Sequence, residues 1–183
     1  MDYNLSTLVD LIRDETIDLD PTFQRRLRWD VARQSKLIES FLMNVPVPPV
    51  FLNEDEYGKY SVIDGKQRLS TIFSFLSNGL VLEKLKVFSD INGNRFSDLP
   101  ARLRNIIRTR PTVRATIILR QSDSDVKYEV FQRLNTGGAR LNPQEIRNNA
   151  FHGGLNKLIM QLSESKEFHK ALNVKNKYKS AIY

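Results

Sequence analysis

The sequence contains no cysteine, and this absence excludes several kinds of site at once. Without thiols there is no disulfide, no thiolate nucleophile, no cysteine-ligated zinc and no iron–sulfur cluster. Histidine is also scarce, since His152 and His169 are the only two and neither has an acidic partner at the spacing of a metal motif. No His-Asn-His nuclease pattern occurs, so nuclease activity is not expected from this chain alone.

Long hydrophobic runs are missing as well. No apolar stretch approaches the ~18–20 residues that a helix needs to cross a bilayer. The first residues, Met1 to Asn4, carry neither the basic region nor the apolar region of a secretory signal. We therefore expect a cytoplasmic protein with no membrane partner.

The composition is that of a globular protein with an excess of positive charge. The 183 residues are 40% hydrophobic and 27% charged, which fits one domain with a substantial core. Lysine and arginine number 28 against 21 acidic residues, so the net charge is +7. This balance is compatible with a polyanionic partner such as DNA or a nucleotide, and equally with ordinary solubility charge.

Local patterns predict an α+β fold, in which a small sheet is flanked by helices. Helices are predicted at 4–13, 30–42, 66–77 and 99–108, and strands at 16–19, 50–53, 60–63, 80–88 and 113–119. Further helices are predicted from about 122 to 134 and from 142 to 151. The predicted domain covers 1–151, and 152–183 is predicted to be a helical C-terminal extension. The chain is expected to be either a fragment of a longer protein or a short stand-alone one.

The most informative segment, Asp64-Gly65-Lys66-Gln67-Arg68, lies between a predicted strand and a predicted helix. The first N–H groups of a helix have no partners within it, and the helix dipole places positive charge there. Gly65 allows close approach of the backbone, and Lys66 and Arg68 add two cations. These features predict an anion site. A plain Asp-Gly turn before a solvated helix explains the same pattern without a ligand.

Two further clusters have both a functional and a structural interpretation. In the first, Arg25 or Arg26 would clamp a phosphate and Trp29 would stack on a base, or Trp29 would simply belong to the core. In the second, the pair Gly137-Gly138 would form an anion-binding nest. Asn135 would either hydrogen-bond a ligand or end a helix in the left-handed conformation.

Taken in order along the chain, these clusters resemble a known family. The motifs that carry the resemblance are Phe23-Gln24-Arg25 with Trp29, Ile38-Glu39-Ser40, Val45 to Phe51, Ile63 to Thr71, Phe131 to Gly138 and Leu141 to Arg147. From about residue 4 to 151, this ordered set resembles the GmrS-type N-terminal domain of the GmrSD modification-dependent restriction endonucleases. The commonest family form of the central motif is D-G-Q-Q-R, in which Lys66 here replaces the first glutamine. Leu27 stands where the family often has an aromatic residue.

The resemblance implies a fold similar to the ParB/sulfiredoxin-like core, a small mixed sheet whose motif loop opens a helix. It also implies binding of a nucleoside triphosphate, with hydrolysis in several members, as the sensing or energy module of a restriction or phage-defence system. DNA cutting would belong to a separate His-Asn-His-type nuclease subunit or domain. By position, the residues of the nucleotide site would be Asp64, Gly65, Gln67 and Arg68, with Gln24 and Arg25 from the first loop and Asn135, Gly137 and Gly138 from the third.

A mechanism follows as a hypothesis. Arg25, Lys66 and Arg68 would neutralise the polyphosphate, and the helix N-terminus would hold one phosphate. Asp64 would bind Mg²⁺ or orient a water molecule, and Gln67 or Gln24 would position that water. In the other interpretation, Asp64 would only accept hydrogen bonds from the backbone of its own turn. The alternative function is that of a non-catalytic DNA-binding or partner-docking regulatory module.

Overall fold

The computed structural model describes residues 1–19 and 29–122, together with Glu129, Val130, Arg133, Leu158 and Leu162. The chain divides into two compact units, Met1–Gln121 and Ser122–Tyr183, and nearly all of the described residues belong to the first. The five residues described beyond 122 are all helical. The predicted domain boundary at residue 151 lies outside the described residues and stays a prediction.

The described part of the chain is a mixed α/β domain with four α-helices and five β-strands. The helices are α1 (Leu5–Arg13), α2 (Val31–Leu42), α3 (Lys66–Leu76) and α4 (Ala101–Thr109). The strands are β1 (Asp2–Asn4), β2 (Ile17–Asp18), β3 (Val50–Glu56), β4 (Lys59–Asp64) and β5 (Thr112–Ile118). None of the helices in the described ranges has the length and apolar character that crossing a membrane requires. The α+β class is therefore confirmed, and the ParB-like assignment stays a prediction.

The five strands form one sheet in the order β1-β5-β3-β4-β2. The hairpin of β3 and β4 is antiparallel, with Leu52 opposite Val62 and Asn53 opposite Ser61. β5 lies parallel to β3, and β2 lies parallel to β4. β1 closes the other edge by pairing antiparallel with β5. The mixed order places the carboxyl end of β4, where the motif turn begins, at an interior strand of the sheet.

One face of the sheet packs against the helices and forms the core. Four of its side chains are fully buried, namely Leu5 and Leu8 of α1, Phe75 of α3 and Ile107 of α4. Leu52 of β3 is only 1% exposed. Fully burying side chains of this size contributes about 1.5–3 kcal/mol each. The helices predicted at 4–13, 30–42, 66–77 and 99–108 are confirmed as α1 to α4, with each end within two residues of the prediction.

Two of the helices begin at side-chain caps. The Asp30 carboxylate accepts a hydrogen bond from the Arg33 N–H at 2.8 Å and so caps α2. Asn4 caps α1 in the same way through the Thr7 N–H. α3 differs, because Gly65 occupies its N-cap position and has no side chain to offer.

The strand predicted over 80–88 is wrong. This segment pairs with no strand. Leu82 bonds the backbone of Gly93 and Asn94, and much of the rest is held by side chains. The backbone N–H groups of Lys86, Val87 and Phe88 all donate to Oε1 of Glu39, at 2.9, 2.7 and 3.2 Å. The Glu83 N–H donates to the buried hydroxyl of Ser35 at 3.0 Å. Because these donors are already bonded to α2, they cannot join a strand ladder.

Candidate functional site

The motif turn depends on a glycine in a conformation that other residues rarely adopt. Gly65 has a φ of +97° at the junction of β4 and α3. A Cβ atom built on it would lie 2.4 Å from Cγ1 of Val50, whose side chain is fully buried in β3. The Gly65 carbonyl accepts the first helical hydrogen bond, from the Leu69 N–H at 2.9 Å. The sharp turn thus aims the start of α3 directly from the end of β4.

The start of α3 carries no side-chain cap, so its first N–H groups keep their capacity to bind an anion. Lys66 and Gln67 lie in this first turn, and both are partly buried. The predicted positions of Gly65, Lys66 and Gln67 around a helix N-terminus are therefore found in the structure.

Arg68 is engaged with its own chain. One terminal nitrogen donates to Oδ2 of Asp64 at 2.8 Å. The other donates to the carbonyl oxygens of Pro48 and Pro49, the latter at 3.0 Å. The Arg68 side chain is only 11% exposed, whereas that of Asp64 is 49% exposed. Arg68 thus ties the proline-rich segment before β3 to the motif turn and orients the Asp64 carboxylate.

Gln67 has a buried acceptor with no partner. Its Oε1 is shielded from solvent and makes no hydrogen bond in the described part of the chain. The backbone carbonyl of the same residue is satisfied by the Thr71 hydroxyl at 2.7 Å. Leaving a buried acceptor unsatisfied costs about 1–3 kcal/mol, so such an atom in a glycine-opened turn is a candidate contact for a bound molecule.

Two roles were predicted for Trp29, stacking on a base or packing in the core, and the structure shows it packed against the core. The indole packs against the hydrophobic core, and the Arg33 guanidinium lies 4.8 Å from the ring centroid. Its carbonyl accepts a hydrogen bond from the Gln34 side chain at 3.0 Å. Trp29 therefore anchors the beginning of α2.

The remaining predicted site residues lie outside the described ranges, and their assignments stay predictions. They are Gln24, Arg25, Arg26, Asn135, Gly137 and Gly138.

The sequence reasoning missed a polar cluster on the β3–β4 hairpin. Asn53 and Ser61 face each other across β3 and β4, and both are about 95% buried. Asp55 accepts hydrogen bonds from the Asn53 amide at 2.6 Å and from the Ser61 hydroxyl at 3.1 Å. Oδ1 of Asn53 has no partner among the described residues. The signal in the sequence is the alternation of Asn53 and Asp55, but the predicted strand ends at Asn53 and leaves Asp55 outside it, whereas β3 continues to Glu56.

No group of three or more histidine or acidic side chains that would hold a metal ion by itself occurs in the described ranges. Asp64 nevertheless fits a magnesium ion that arrives with a phosphate ligand. It is half exposed, and Arg68 bonds only one of its two oxygens. Mg²⁺ commonly binds through one or two carboxylates together with substrate phosphates.

These observations define a mixed α/β domain with a glycine-opened helix N-terminus as its candidate anion site. The family model for the GmrSD restriction endonuclease N-terminal domain matches residues 5–152. The chain therefore belongs to the GmrSD N-terminal domain family, and this membership places it in the context of restriction systems. No curated protein and no solved structure matches the chain significantly.

Proposed function

We propose that this domain binds a nucleoside triphosphate at the turn Asp64–Arg68 and hydrolyses it with the help of Mg²⁺. The observation that carries the proposal is the buried, unpartnered Oε1 of Gln67 at the start of a helix that Gly65 opens in a left-handed conformation. A helix N-terminus supplies donors for a phosphate, and an unused acceptor beside it suits a water molecule or a ligand hydroxyl.

The residues divide the work as follows. The N–H groups at the start of α3 and the ammonium of Lys66 bind phosphate oxygens. Asp64 would hold a Mg²⁺ ion through its remaining carboxylate oxygen, and the ion would supply positive charge at the phosphates. Arg25 of the first loop adds positive charge. Arg68 is a positioning residue, because its guanidinium holds Asp64 in place and keeps the proline-rich segment against the turn.

Hydrolysis then requires a positioned water molecule. Gln67 accepts a hydrogen bond from that water through Oε1, and the water oxygen attacks the terminal phosphorus. The bond from phosphorus to the bridging oxygen breaks, so the products are a nucleoside diphosphate and inorganic phosphate, with the water proton released to phosphate or solvent. Phosphoryl transfer depends mainly on such positioning and on charge neutralisation.

The family context also supports DNA and a nuclease as partners. We propose that cutting is carried out by a His-Asn-His-type nuclease subunit or domain and that this domain couples nucleotide use to it. The proposal is consistent with the sequence, which has only two histidines and no nuclease pattern of its own.

The test is a calorimetric titration of the four ribonucleoside triphosphates, with and without Mg²⁺, into the wild-type protein and the Gln67→Met variant. Wild type is expected to bind at least one of them. Gln67→Met removes the acceptor but keeps the length of the side chain, so we expect at least about tenfold weaker binding or slower phosphate release. Its melting temperature should stay equal or rise, because an unsatisfied buried acceptor has been removed.

The matched control is Gln34→Met, the same substitution in the first part of α2, where the amide does have a partner. This variant should bind and hydrolyse like wild type and be slightly less stable. The proposal is wrong if no triphosphate binds to the wild type, or if Gln67→Met and Gln34→Met behave alike in both assays.

A further inference from the structure

A second, independent surface stands out by its charge. Residues 99–122 contain six arginines and no lysine, aspartate or glutamate; the arginines are Arg102, Arg104, Arg108, Arg110, Arg114 and Arg120. Four of the six lie on α4 or at its C-terminal end. This concentration of arginine on one helix makes α4 a candidate surface for a polyanionic partner.

The packing of α4 fixes which of its sides is exposed. Ile107 is fully buried and Leu103 packs against the core, so the apolar side of the helix is already covered. Arg104 and Arg108 are four residues apart and therefore lie next to each other outside that side, about 5–6 Å apart at Cβ. Arg102 lies at the far edge of the same exposed arc. Between these arginines the arc carries only small or neutral polar residues, namely Ala101, Asn105 and Thr109.

Arg104 and Arg108 are held in place without being neutralised. They line a cavity of about 400 Å³ between α4 and the C-terminal end of α3, together with Asn78, Asn105 and Phe96. Arg104 donates to the carbonyl of Ser97 at 3.2 Å. The Arg108 guanidinium lies 5.0 Å from the centroid of the Phe96 ring. Neither forms an ion pair with any described residue, so two ordered cations face this cavity with their charge uncompensated.

The nearest acidic side chain in the sequence does not offset them. Asp98 accepts hydrogen bonds from the Arg95 N–H at 2.9 Å and from the Ser97 hydroxyl at 2.9 Å. The first of these bonds lowers the pKa of Asp98 below its usual value, followed in effect by the second. The Asp98 carboxylate is therefore already used to shape the short 3₁₀ turn Phe96–Asp98 that precedes α4.

The chemistry of the arc favours a phosphodiester backbone as its occupant. Guanidinium groups bind phosphate through paired N–H donors, and asparagine and threonine also contact phosphates. Stable binding to an anionic membrane commonly adds apolar insertion to the attraction of basic groups, but none of the exposed large hydrophobic residues in the described ranges lies on α4. A protein partner would need an exposed aromatic or aliphatic anchor, which the arc also lacks.

This surface is separate from the motif turn. α3 has 11 residues, so its two ends are about 16 Å apart. The motif turn lies at the N-terminal end of α3, and the arginine-lined cavity lies at the C-terminal end. A ligand at one site need not touch the other.

We infer that the face of α4 bearing Arg102, Arg104 and Arg108 binds the phosphate backbone of duplex DNA. The inference does not depend on the proposed nucleotide site, and it assigns DNA contact to a surface outside the motif turn. Binding through this face is expected to be insensitive to base sequence and steeply dependent on salt.

The test is fluorescence anisotropy of a labelled duplex of about 20 base pairs, titrated with the full chain at NaCl concentrations from about 50 to 300 mM. The logarithm of the association constant falls with log [NaCl], and each lost phosphate contact makes this slope shallower by about 0.9. The slope of Arg104→Gln/Arg108→Gln should therefore be shallower than that of wild type by about 1.8. If the two proteins bind equally near 1 M salt, the variant binds roughly 60-fold more weakly than wild type at 0.1 M.

The matched control is Lys36→Gln/Lys86→Gln, which removes the same charge from exposed lysines outside α4. Its affinity should stay within about twofold of wild type, with an unchanged slope. Arg104→Lys/Arg108→Lys should keep the slope and lose part of the affinity, because lysine keeps the positive charge but lacks the paired N–H donors of the guanidinium. Calorimetric binding of the triphosphate should be the same in all of these variants, which separates this inference from the proposed function.

Three results would overturn the inference. The first is that the arginine and lysine double variants weaken DNA binding equally, which would indicate a net-charge effect. The second is that wild type fails to bind the duplex but binds vesicles of anionic phospholipid, which would assign the face to a membrane surface. The third is that wild type binds the duplex with no salt dependence.

Discussion

Gly65 is the residue on which the geometry of the motif turn depends most directly. Two separate constraints act on it, namely a φ of +97° and the close approach of the buried Val50 side chain. Gly58, in the turn between β3 and β4, shares only the first constraint. Its φ is +74°, and a Cβ added to it would meet nothing within 4 Å. Comparing alanine variants of Gly65 and Gly58 therefore separates the cost of backbone strain from the cost of the steric clash with Val50.

Gly65→Ala is expected to destabilise the fold by about 2–5 kcal/mol, the sum of left-handed strain and overpacking against Val50. Gly58→Ala should cost only about 1 kcal/mol, because only the strain applies. Urea denaturation of both variants measures the difference. Equal losses of stability would mean that the contact between Gly65 and Val50 does not restrict the turn.

Gln67 and Arg68 are adjacent, but the structure gives them different significance for experiments. Arg68 bonds three acceptors from two segments, so its removal disturbs the turn and the proline-rich segment together. The Gln67 side chain has an unused acceptor, so its replacement leaves the described hydrogen bonds intact. A loss of binding in Gln67→Met is for this reason easier to interpret than the same loss in a variant of Arg68.

At the scale of elements, α2 organises the segment between α3 and α4 through two buried polar side chains. Glu39 is only 6% exposed and its Oε1 accepts three backbone hydrogen bonds. Ser35, one turn earlier and fully buried, accepts a fourth. The segment over 80–88 is therefore fixed by a helix that precedes it by about 50 residues in the sequence.

Glu39→Ala should destabilise the domain by about 3 kcal/mol, because three partly buried N–H groups lose the acceptor that they share. Hydrogen exchange should show the loss of protection at Lys86, Val87 and Phe88. Ser35→Ala should cost about 1 kcal/mol, since it removes one neutral bond. The exposed bond of Ser40 to its own helix predicts almost no effect for Ser40→Ala. Unchanged protection at 86–88 in Glu39→Ala would contradict this account.

The elements that the sequence predicted correctly are those whose signals are local. α2 begins directly after Asp30, which caps it, and the turn Tyr57-Gly58 joins β3 to β4 in a hairpin. β1 was missed because it has three residues and exists only through pairing with β5, more than 100 residues away. The strand predicted over 80–88 failed for the related reason that Glu39 binds its donors from a distant helix.

The candidate site shows the same division. The glycine turn, the open helix start and the nearby cations were predictable, because they follow from consecutive residues. The partners of Arg68 and the burial of Gln67 were not, because they depend on how the Pro48-Pro49 segment and the sheet meet α3. Tertiary contacts of this kind leave no periodic signal in a single sequence.

At the scale of the whole molecule, the net charge of +7 is unevenly distributed, and the arginine face of α4 holds part of the excess. Like charges within a Debye length of about 10 Å at 0.1 M salt repel each other and destabilise the folded state. Arg114 escapes this effect because Asp2 pairs with it across β1 and β5 at 3.0 Å, which raises the pKa of Arg114 and lowers that of Asp2. Arg104 and Arg108 have no such pairing among the described residues.

The unpaired charge predicts a measurable effect of salt on stability in the absence of any ligand. Raising NaCl from about 50 to about 500 mM shortens the Debye length severalfold, so the melting temperature of the wild type should rise. The rise should be smaller in Arg104→Gln/Arg108→Gln, whose melting temperature at low salt should already exceed that of wild type. Lys36→Gln/Lys86→Gln controls for the general effect of salt and net charge. If melting temperature rises with NaCl in the same way for both double variants, repulsion is not concentrated on α4. If wild type and the arginine variant reach the same melting temperature at high salt, the domain is less stable at low salt because this face is charged.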